Sequence, residues 1–187
     1  GQIVDRLKKE GEFENTVILF ITDHGVSHAR GKQFCYDEGM MIPFFVHAPN
    51  RVKGGTVRKE PVLHIDLAAT SLYFAGIDIP KYMEARTLFG PEAVKRKFAV
   101  SARDRCDETY DRIRAVRTLR YKYIRNGYPD RPHLQPCAYK DNKDTYIAIR
   151  DWGVKGKLND LQKNLLLSSK RAKEELYDLK DDPWELT

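Results

Sequence analysis

Cysteine is scarce in this sequence and poorly placed for a framework. Its three copies, Cys35, Cys106 and Cys137, show no C-x-x-C spacing and cannot all pair with one another. That argues against a disulfide scaffold and against a cysteine-rich zinc module, and each cysteine reads as packing. Long apolar runs are missing too: none approaches the ~20 residues a membrane-spanning helix needs, so no membrane partner is expected. The opening stretch GQIVDRLKKEGE has neither an apolar segment nor a cleavage site of the secretory kind, which leaves open where a longer parent chain would reside. Internal repeats and low-complexity tracts are absent.

What is present describes a folded globular chain. At 187 residues with 41% apolar and 32% charged side chains, it can bury a core of its own or form a portion of a larger domain. The net charge of +6 is uneven, with Arg and Lys concentrated in RDRCDETYDRIRAVRTLRYKYIRN and acid in the terminal EELYDLKDDPWELT. A basic surface suits anionic partners such as sulfated sugars, phosphate esters or nucleic acid.

Ile3, Val4 and Leu7 lie on one helical face, and Gly11 suits the position just past a helix end. Val17 to Ile21 is a continuous apolar run, which predicts a strand covered on both faces, as in a parallel sheet. Ile42 to Val46 predicts a second strand with Pro43 near its start, and Ile65 to Ala75 a helix closed by Gly76. Beyond about Lys97 the pattern changes. Phe98 to Val100 is a short strand, and Arg112–Arg117 and Tyr121–Arg125 form a hairpin turning near Thr118–Arg120. Leu158 to Ala172 reads as helix and Leu176 to Leu179 as an edge strand. The expectation is an α/β region over 1–96 followed by a small α+β subdomain with an antiparallel sheet over 97–187.

The strongest local signal is Thr22-Asp23-His24-Gly25, directly after the first strand. Ligands of open α/β sheets bind beyond the carboxyl ends of strands, where this turn falls. A carboxylate and an imidazole side by side offer oxygen and nitrogen donors to a divalent cation. Gly25 permits a tight turn and a close ligand. A strand-end turn also favours Asp and Gly for purely local reasons, so the triplet alone does not decide.

The continuation ITDHGVSHARGKQFCYDEGMMIPFFVHAP resembles a stretch of the sulfatases, in the alkaline-phosphatase superfamily. There D-(N/H)-G is followed by G-K or G-R, an aromatic-acidic-Glu-Gly turn and an apolar strand containing proline. HIDLAATSLYFAGIDIP is similar to a helix of that family, AVRTLRYKYIRN to a hairpin of its C-terminal subdomain, and EELYDLKDDPWE to a signature near its end. The resemblance implies the C-terminal part of an alkaline-phosphatase-like sheet sandwich and hydrolysis of sulfate esters or sulfamates, on carbohydrate. It implies that Asp23 and His24 are metal ligands, for calcium, with zinc left open by the imidazole, and that Lys32 contacts a sulfate oxygen. His28 and Arg30 lie on the same loop and are assigned to substrate. SARDRCDETYDRIRAVRT is similar to a segment near the heparan N-sulfatase branch, which adds Arg103, Asp107 and Glu108 as contacts to sugar or sulfate.

One part of that chemistry is not in these residues. The family's formylglycine derives from a C/S-x-P-x-R motif, which none of Cys35, Cys106, Cys137 or Ser101 provides. Two of about four expected metal ligands hold calcium weakly. The resemblance therefore implies that the nucleophile lies outside this chain and that these 187 residues alone are inactive. It also implies a secreted or periplasmic parent and a sulfated small molecule or glycan as partner; the oligomeric state is not legible. Three other readings are a metal-dependent phosphoesterase of the same superfamily, a truncated non-catalytic homologue, and a nucleic-acid-binding module. The last rests on basic residues interleaved with aromatics, a pattern that any hairpin with one buried face also gives, so no nucleic-acid partner is expected.

Overall fold

The computed structural model describes residues 1–187 throughout. In chain order its regular elements are α1 (Gln2–Lys9), β1 (Ile18–Ile21), α2 (Asp37–Met40), β2 (Phe44–His47), α3 (Asp66–Ala75), β3 (Ala99–Cys106), β4 (Thr109–Arg117), β5 (Tyr121–Asn126), α4 (Ala138–Asp141), α5 (Asp144–Val154), α6 (Asp160–Leu166) and β6 (Glu174–Asp178). They form two compact units that interleave along the chain. The first takes 1–22 and 43–97, and the second 23–42 and 98–187. One junction falls at Lys97/Phe98, while the segment Asp23–Ile42 leaves the first strand and belongs to the second unit.

In the first unit β1 pairs with β2, and the pairing is antiparallel, with Ile18 opposite His47 and Ile21 opposite Phe44. The apolar run 17–21 predicted a parallel partner and cover on both faces. Continuous apolarity reports that both faces suit burial; it says nothing about the direction of the neighbour, which is set by how the chain returns. Phe20 and Phe45 stand opposite one another with ring centroids 5.8 Å apart, and both are more than half exposed. The second strand begins at Phe44, after Pro43, because proline has no N–H for the ladder.

Helix α3 is the anchor of this unit. Gly76 closes it in the left-handed conformation at φ 71°, as its sequence position predicted. Asp66 in its first turn is fully buried and accepts four hydrogen bonds. Two come from the backbone N–H groups of Leu63 (3.0 Å) and Arg86 (2.9 Å), and two from the Arg96 guanidinium (2.9 and 2.6 Å). One carboxylate thus ties the helix start to the segment returning at Arg86–Arg96. Burial by itself would push the Asp66 pKa up, but the donors from Arg96, Arg86 and Leu63 outweigh it and hold the carboxyl below its ordinary value.

The second unit is built on a four-stranded antiparallel sheet in the order β3-β4-β5-β6. The hairpin of β4 and β5 turns at Thr118–Arg120, where Thr118 and Tyr121 bond through backbone and hydroxyl. Strand β3 is much longer than the predicted Phe98–Val100 and carries an irregularity between Arg103 and Arg105. Its charged sequence, SARDRC, hid it from an apolar criterion. The buried face of β4 is Thr109, Asp111, Ile113 and Ala115, so half of its inward residues are polar. Asp111 is held there by a bidentate pair with Arg171 (3.0 and 2.9 Å). Phe34, Cys35, Tyr36, Ile113, Ala115, Ile124 and Tyr177 form the apolar core under the sheet.

The predicted helix over Leu158–Ala172 is real but shorter. Asn159 and Gln162 form a capping box at its start, and it ends at Leu166. Beyond it the chain is drawn toward the sheet, with the Arg171 N–H donating to the Pro129 carbonyl (2.8 Å). Strand β6 is the edge strand, as predicted. Helix α5 was not anticipated: it packs through the fully buried Tyr146 and leaves Trp152 half exposed.

The Asp66 node yields a test with a defined sign. Because its folded pKa is depressed, its contribution is present above the unfolded value near 3.8 and is lost as pH falls through the folded value. Asp66→Asn should cost about 3 kcal/mol at neutral pH, since Arg96 loses its partner. It should also flatten the loss of stability below pH 3.8, as read by chemical denaturation across pH.

Candidate functional site

The loop Asp23–Ile42 carries the predicted chemistry, and glycine makes its path possible. The Gly25 N–H donates to the Gly39 carbonyl (2.9 Å), the Lys32 N–H to Val26 (2.8 Å) and the Phe34 N–H to Gly31 (3.0 Å). A Cβ at Gly25 would overlap the Glu38 carbonyl oxygen, one at Gly31 the Val26 carbonyl, and one at Gly39 the Gly31 carbonyl. Three backbone segments therefore close on one another where no side chain fits.

Asp37 clamps the end of this loop to the sheet. Its carboxylate accepts three hydrogen bonds from the Arg117 guanidinium (3.0 to 3.1 Å) and one from the buried Lys122 ammonium (3.0 Å). Lys122 also faces Glu185 (2.8 Å), whose other oxygen accepts the Asp37 N–H (2.6 Å). Two cations thus meet two carboxylates. Burial alone would push Asp37 up, but Arg117 and Lys122 hold it below its ordinary value; burial pushes Glu185 up.

Asp23 and His24 lie at the start of the loop. The Asp23 side chain is exposed and its Oδ2 stands 3.4 Å from His24 Nε2. His24 Nδ1 is 2.6 Å from the Gly25 carbonyl oxygen. A ring N–H donated to that carbonyl leaves the Nε2 lone pair directed toward the Asp23 oxygen, the usual tautomer of a metal-ligating histidine. The donor pair, one oxygen and one nitrogen at ligand–ligand spacing, fits a divalent cation.

Lys32 is held by a group far away in sequence. Its ammonium donates to the Tyr139 hydroxyl (2.9 Å) and sits 4.6 Å from the centre of that ring. The hydrogen bond to Tyr139 raises the Lys32 pKa, and Asp23 and Cys106 lie near enough to add to the shift. Lys143 packs on the same ring (4.5 Å) and donates to Ser27 Oγ (2.9 Å). Lys140 donates to the Lys32 carbonyl (2.6 Å), with burial lowering its pKa to about 8, and the Tyr146 hydroxyl donates to the His28 carbonyl (2.9 Å). Helices α4 and α5 therefore brace the loop from Ser27 to Lys32. Sequence reasoning missed Tyr139, Lys140, Lys143 and Tyr146, which form no motif and lie more than 100 residues from their partners.

The remaining assigned residues divide by exposure. His28 is exposed on the loop. The Arg30 guanidinium stacks on Tyr36 (3.9 Å) and donates to the carbonyls of Trp184 (3.0 Å) and Glu185 (2.8 Å). Arg103 is buried, 3.8 Å from Asp111 and over the Phe34 ring (5.1 Å). Asp107 and Glu108 are exposed at the two-residue tip of the β3–β4 hairpin, where Glu108 accepts the Ala138 N–H (2.8 Å).

A profile of the sulfatase family matches residues 1–77. An ulvan-active sulfatase of Formosa agariphila is 35% identical over 187 residues, which is all of this chain and 31% of that protein. The chain belongs to the sulfatase family. An extracellular sulfatase SULF-1 homolog of Drosophila melanogaster is 32% identical over 104 residues, 53% of this chain and 9% of that one. A solved structure in complex with its substrate, D-glucosamine-2-N,6-O-disulfate, superposes with a TM-score of 0.70 at 23% identity, over 100% of this chain and 32% of the other. That likeness shows the fold, a mixed α/β arrangement. The chain thus spans about a third of the length of the ulvan-active sulfatase it matches.

The brace on Lys32 is testable in solution. Tyr139→Phe removes the hydroxyl that raises the lysine pKa, so the Lys32 titration should move down toward its ordinary value. An NMR pH titration of isotopically methylated lysines reads this directly; an unchanged titration would show that Tyr139 does not hold the amine.

Proposed function

We propose that the whole sulfatase hydrolyses sulfate esters or sulfamates on carbohydrate, with the Asp23–Lys32 loop supplying part of its charge-stabilising machinery. The observation that carries this reading is the convergence on one loop of an oxygen–nitrogen donor pair, Asp23 and His24, and an ammonium, Lys32, within electrostatic reach of Asp23. Sulfated carbohydrates are supported by the relatives' names, one active on ulvan and one solved with a disulfated glucosamine. A secreted or periplasmic setting is supported by the relative named as extracellular.

Asp23 and His24 would hold a divalent cation, calcium in this reading, which when bound supplies Lewis-acid stabilisation of negative charge. A sulfuryl group in transfer spreads charge over its oxygens, and the protonated Lys32 takes part of that charge. Its ammonium stays protonated because the Tyr139 hydroxyl favours the charged form. Tyr139 also limits the rotamers of Lys32, so less ordering is left to the reaction itself. The formylglycine nucleophile would come from outside these residues.

His28 is exposed on the same loop, which supports a contact to the sugar. Arg30, Arg103 and Glu108 are engaged within the unit, which supports an indirect part in shaping the site. The imidazole at His24 also suits zinc and phosphoester chemistry, and turnover of matched sulfate and phosphate esters by the whole protein separates the two.

In the full-length enzyme, Lys32→Ala should lower kcat/KM by about 100- to 1,000-fold, the usual cost of losing one charge-stabilising group. Asp23→Ala should remove turnover altogether while the thermal unfolding transition stays put, because the Asp23 side chain is exposed. Near-normal activity in either variant would overturn the assignment.

A further inference from the structure

The spacing of the cysteines argued against a metal module, but the fold brings two of them together. Cys106 ends β3, Cys137 precedes α4, and Asp107 lies beside Cys106 at the hairpin tip. The two Sγ atoms and an Asp107 carboxylate oxygen all lie within 4.8 Å of one another. No disulfide joins them.

We propose that Cys106, Cys137 and Asp107 form a second cation site, for a soft divalent ion of the zinc class, distinct from the Asp23–His24 pair. Two sulfurs and one carboxylate are a three-ligand donor set that leaves a fourth tetrahedral position open to water. Zinc–sulfur and zinc–oxygen bonds of about 2.3 and 2.1 Å place tetrahedral ligands about 3.5 to 3.8 Å apart. With every pair within 4.8 Å, a contraction of no more than about 1 Å completes the site. Asp107 can close its own distances to the sulfurs by side-chain rotation, because it is exposed at the tip of a hairpin.

A second, independent feature points to the same use. Gln33 adopts φ 82°, a left-handed conformation that a non-glycine residue seldom takes. In that conformation its side-chain amide donates to Cys106 Sγ and lies 3.9 Å from Cys137 Sγ. An N–H group directed at sulfur is the kind of outer partner that orients a cysteine ligand once an ion is bound. The surroundings are also cationic: Lys140 and Arg103 both stand over the ring of Phe34, next to Gln33 (4.8 and 5.1 Å). Two thiolates and a carboxylate carry three negative charges, of which a divalent ion cancels two and the nearby cations screen the remainder.

On binding, each thiol releases a proton to solvent and two sulfur–metal bonds form, with no change of oxidation state. Through Gln33 the ion would fix the residue that follows Lys32, so occupancy would couple to the loop. The donor set itself does not rest on the sulfatase reading.

The test is a titration of the reduced, metal-free full-length protein with cadmium(II), followed by the ultraviolet thiolate-to-cadmium charge-transfer band. The expected result is a saturable band from one ion per chain, displaced by zinc(II). It should disappear in Cys106→Ser and in Cys137→Ser. Asp107→Asn, at an exposed tip where the fold tolerates change, should weaken binding at least about 10-fold, since even outer-shell partners of a metal are worth that much. The Asp23–His24 pair contains no sulfur and cannot give the band, and Asp23→Ala should leave it intact. A reduced, folded protein that shows no band would overturn the proposal. So would a Cys106–Cys137 disulfide that forms in air and persists when zinc is present.

Discussion

The second unit depends on the charge cluster around Asp37. This carboxylate belongs to the loop that carries Asp23, His24 and Lys32, and its partners Arg117 and Lys122 belong to β4 and β5. Glu185, near the end of the chain, completes the balance by facing Lys122 and accepting the Asp37 N–H. The buried Lys122 and half-buried Arg117 against the buried Glu185 and half-buried Asp37 leave no net charge to desolvate, yet each is costly to leave alone. Such a cluster adds little to stability relative to an apolar core. Its value lies in register: only one placement of the loop on the sheet satisfies all four groups. The glycine contacts then act at shorter range, because backbone crossing backbone at Gly25, Gly31 and Gly39 fixes the loop's path once its end is clamped.

That clamp makes the site's electrostatics possible. Lys32, Lys140 and Lys143 crowd toward one face of the loop, a repulsive arrangement unless the loop and helices are held in place. Tyr139 mediates between two of them, offering its ring to Lys143 and its hydroxyl to Lys32. The buried His133 shows the same economy. It sits between the Tyr36 hydroxyl (3.1 Å) and Arg171, and burial followed by the Arg171 charge lowers its pKa to about 3. It therefore serves as a neutral hydrogen-bonding strut between the two.

Much of the local structure was legible because it depends on short stretches of chain. Gly76 marked the end of α3, Thr118–Arg120 marked the turn between β4 and β5, and Asp23-His24-Gly25 stood where a loop leaves a strand. What failed to read was whatever runs against hydrophobic pattern. Strand β3 is rich in charge, and β4 turns Thr109 and Asp111 inward, because Arg171 neutralises Asp111 from 60 residues away. The antiparallel direction of β1 and β2 failed for another reason, since an apolar run carries no record of which way its neighbour points.

The sequence by itself determined the sulfatase family, the loop that bears Asp23, His24 and Lys32, and the glycines that let that loop close. Those features are written in contiguous residues, where covalent spacing and backbone sterics act directly. Only the tertiary structure decided what the site residues touch: Tyr139 on Lys32, Lys122 and Glu185 around Asp37, and two cysteines and Asp107 gathered beside Gln33. These contacts join residues between 30 and 150 positions apart. Around Asp37 the geometry comes from balancing charge that is partly withdrawn from water, and in every case it needs strands, helices and loops that only the whole fold brings together.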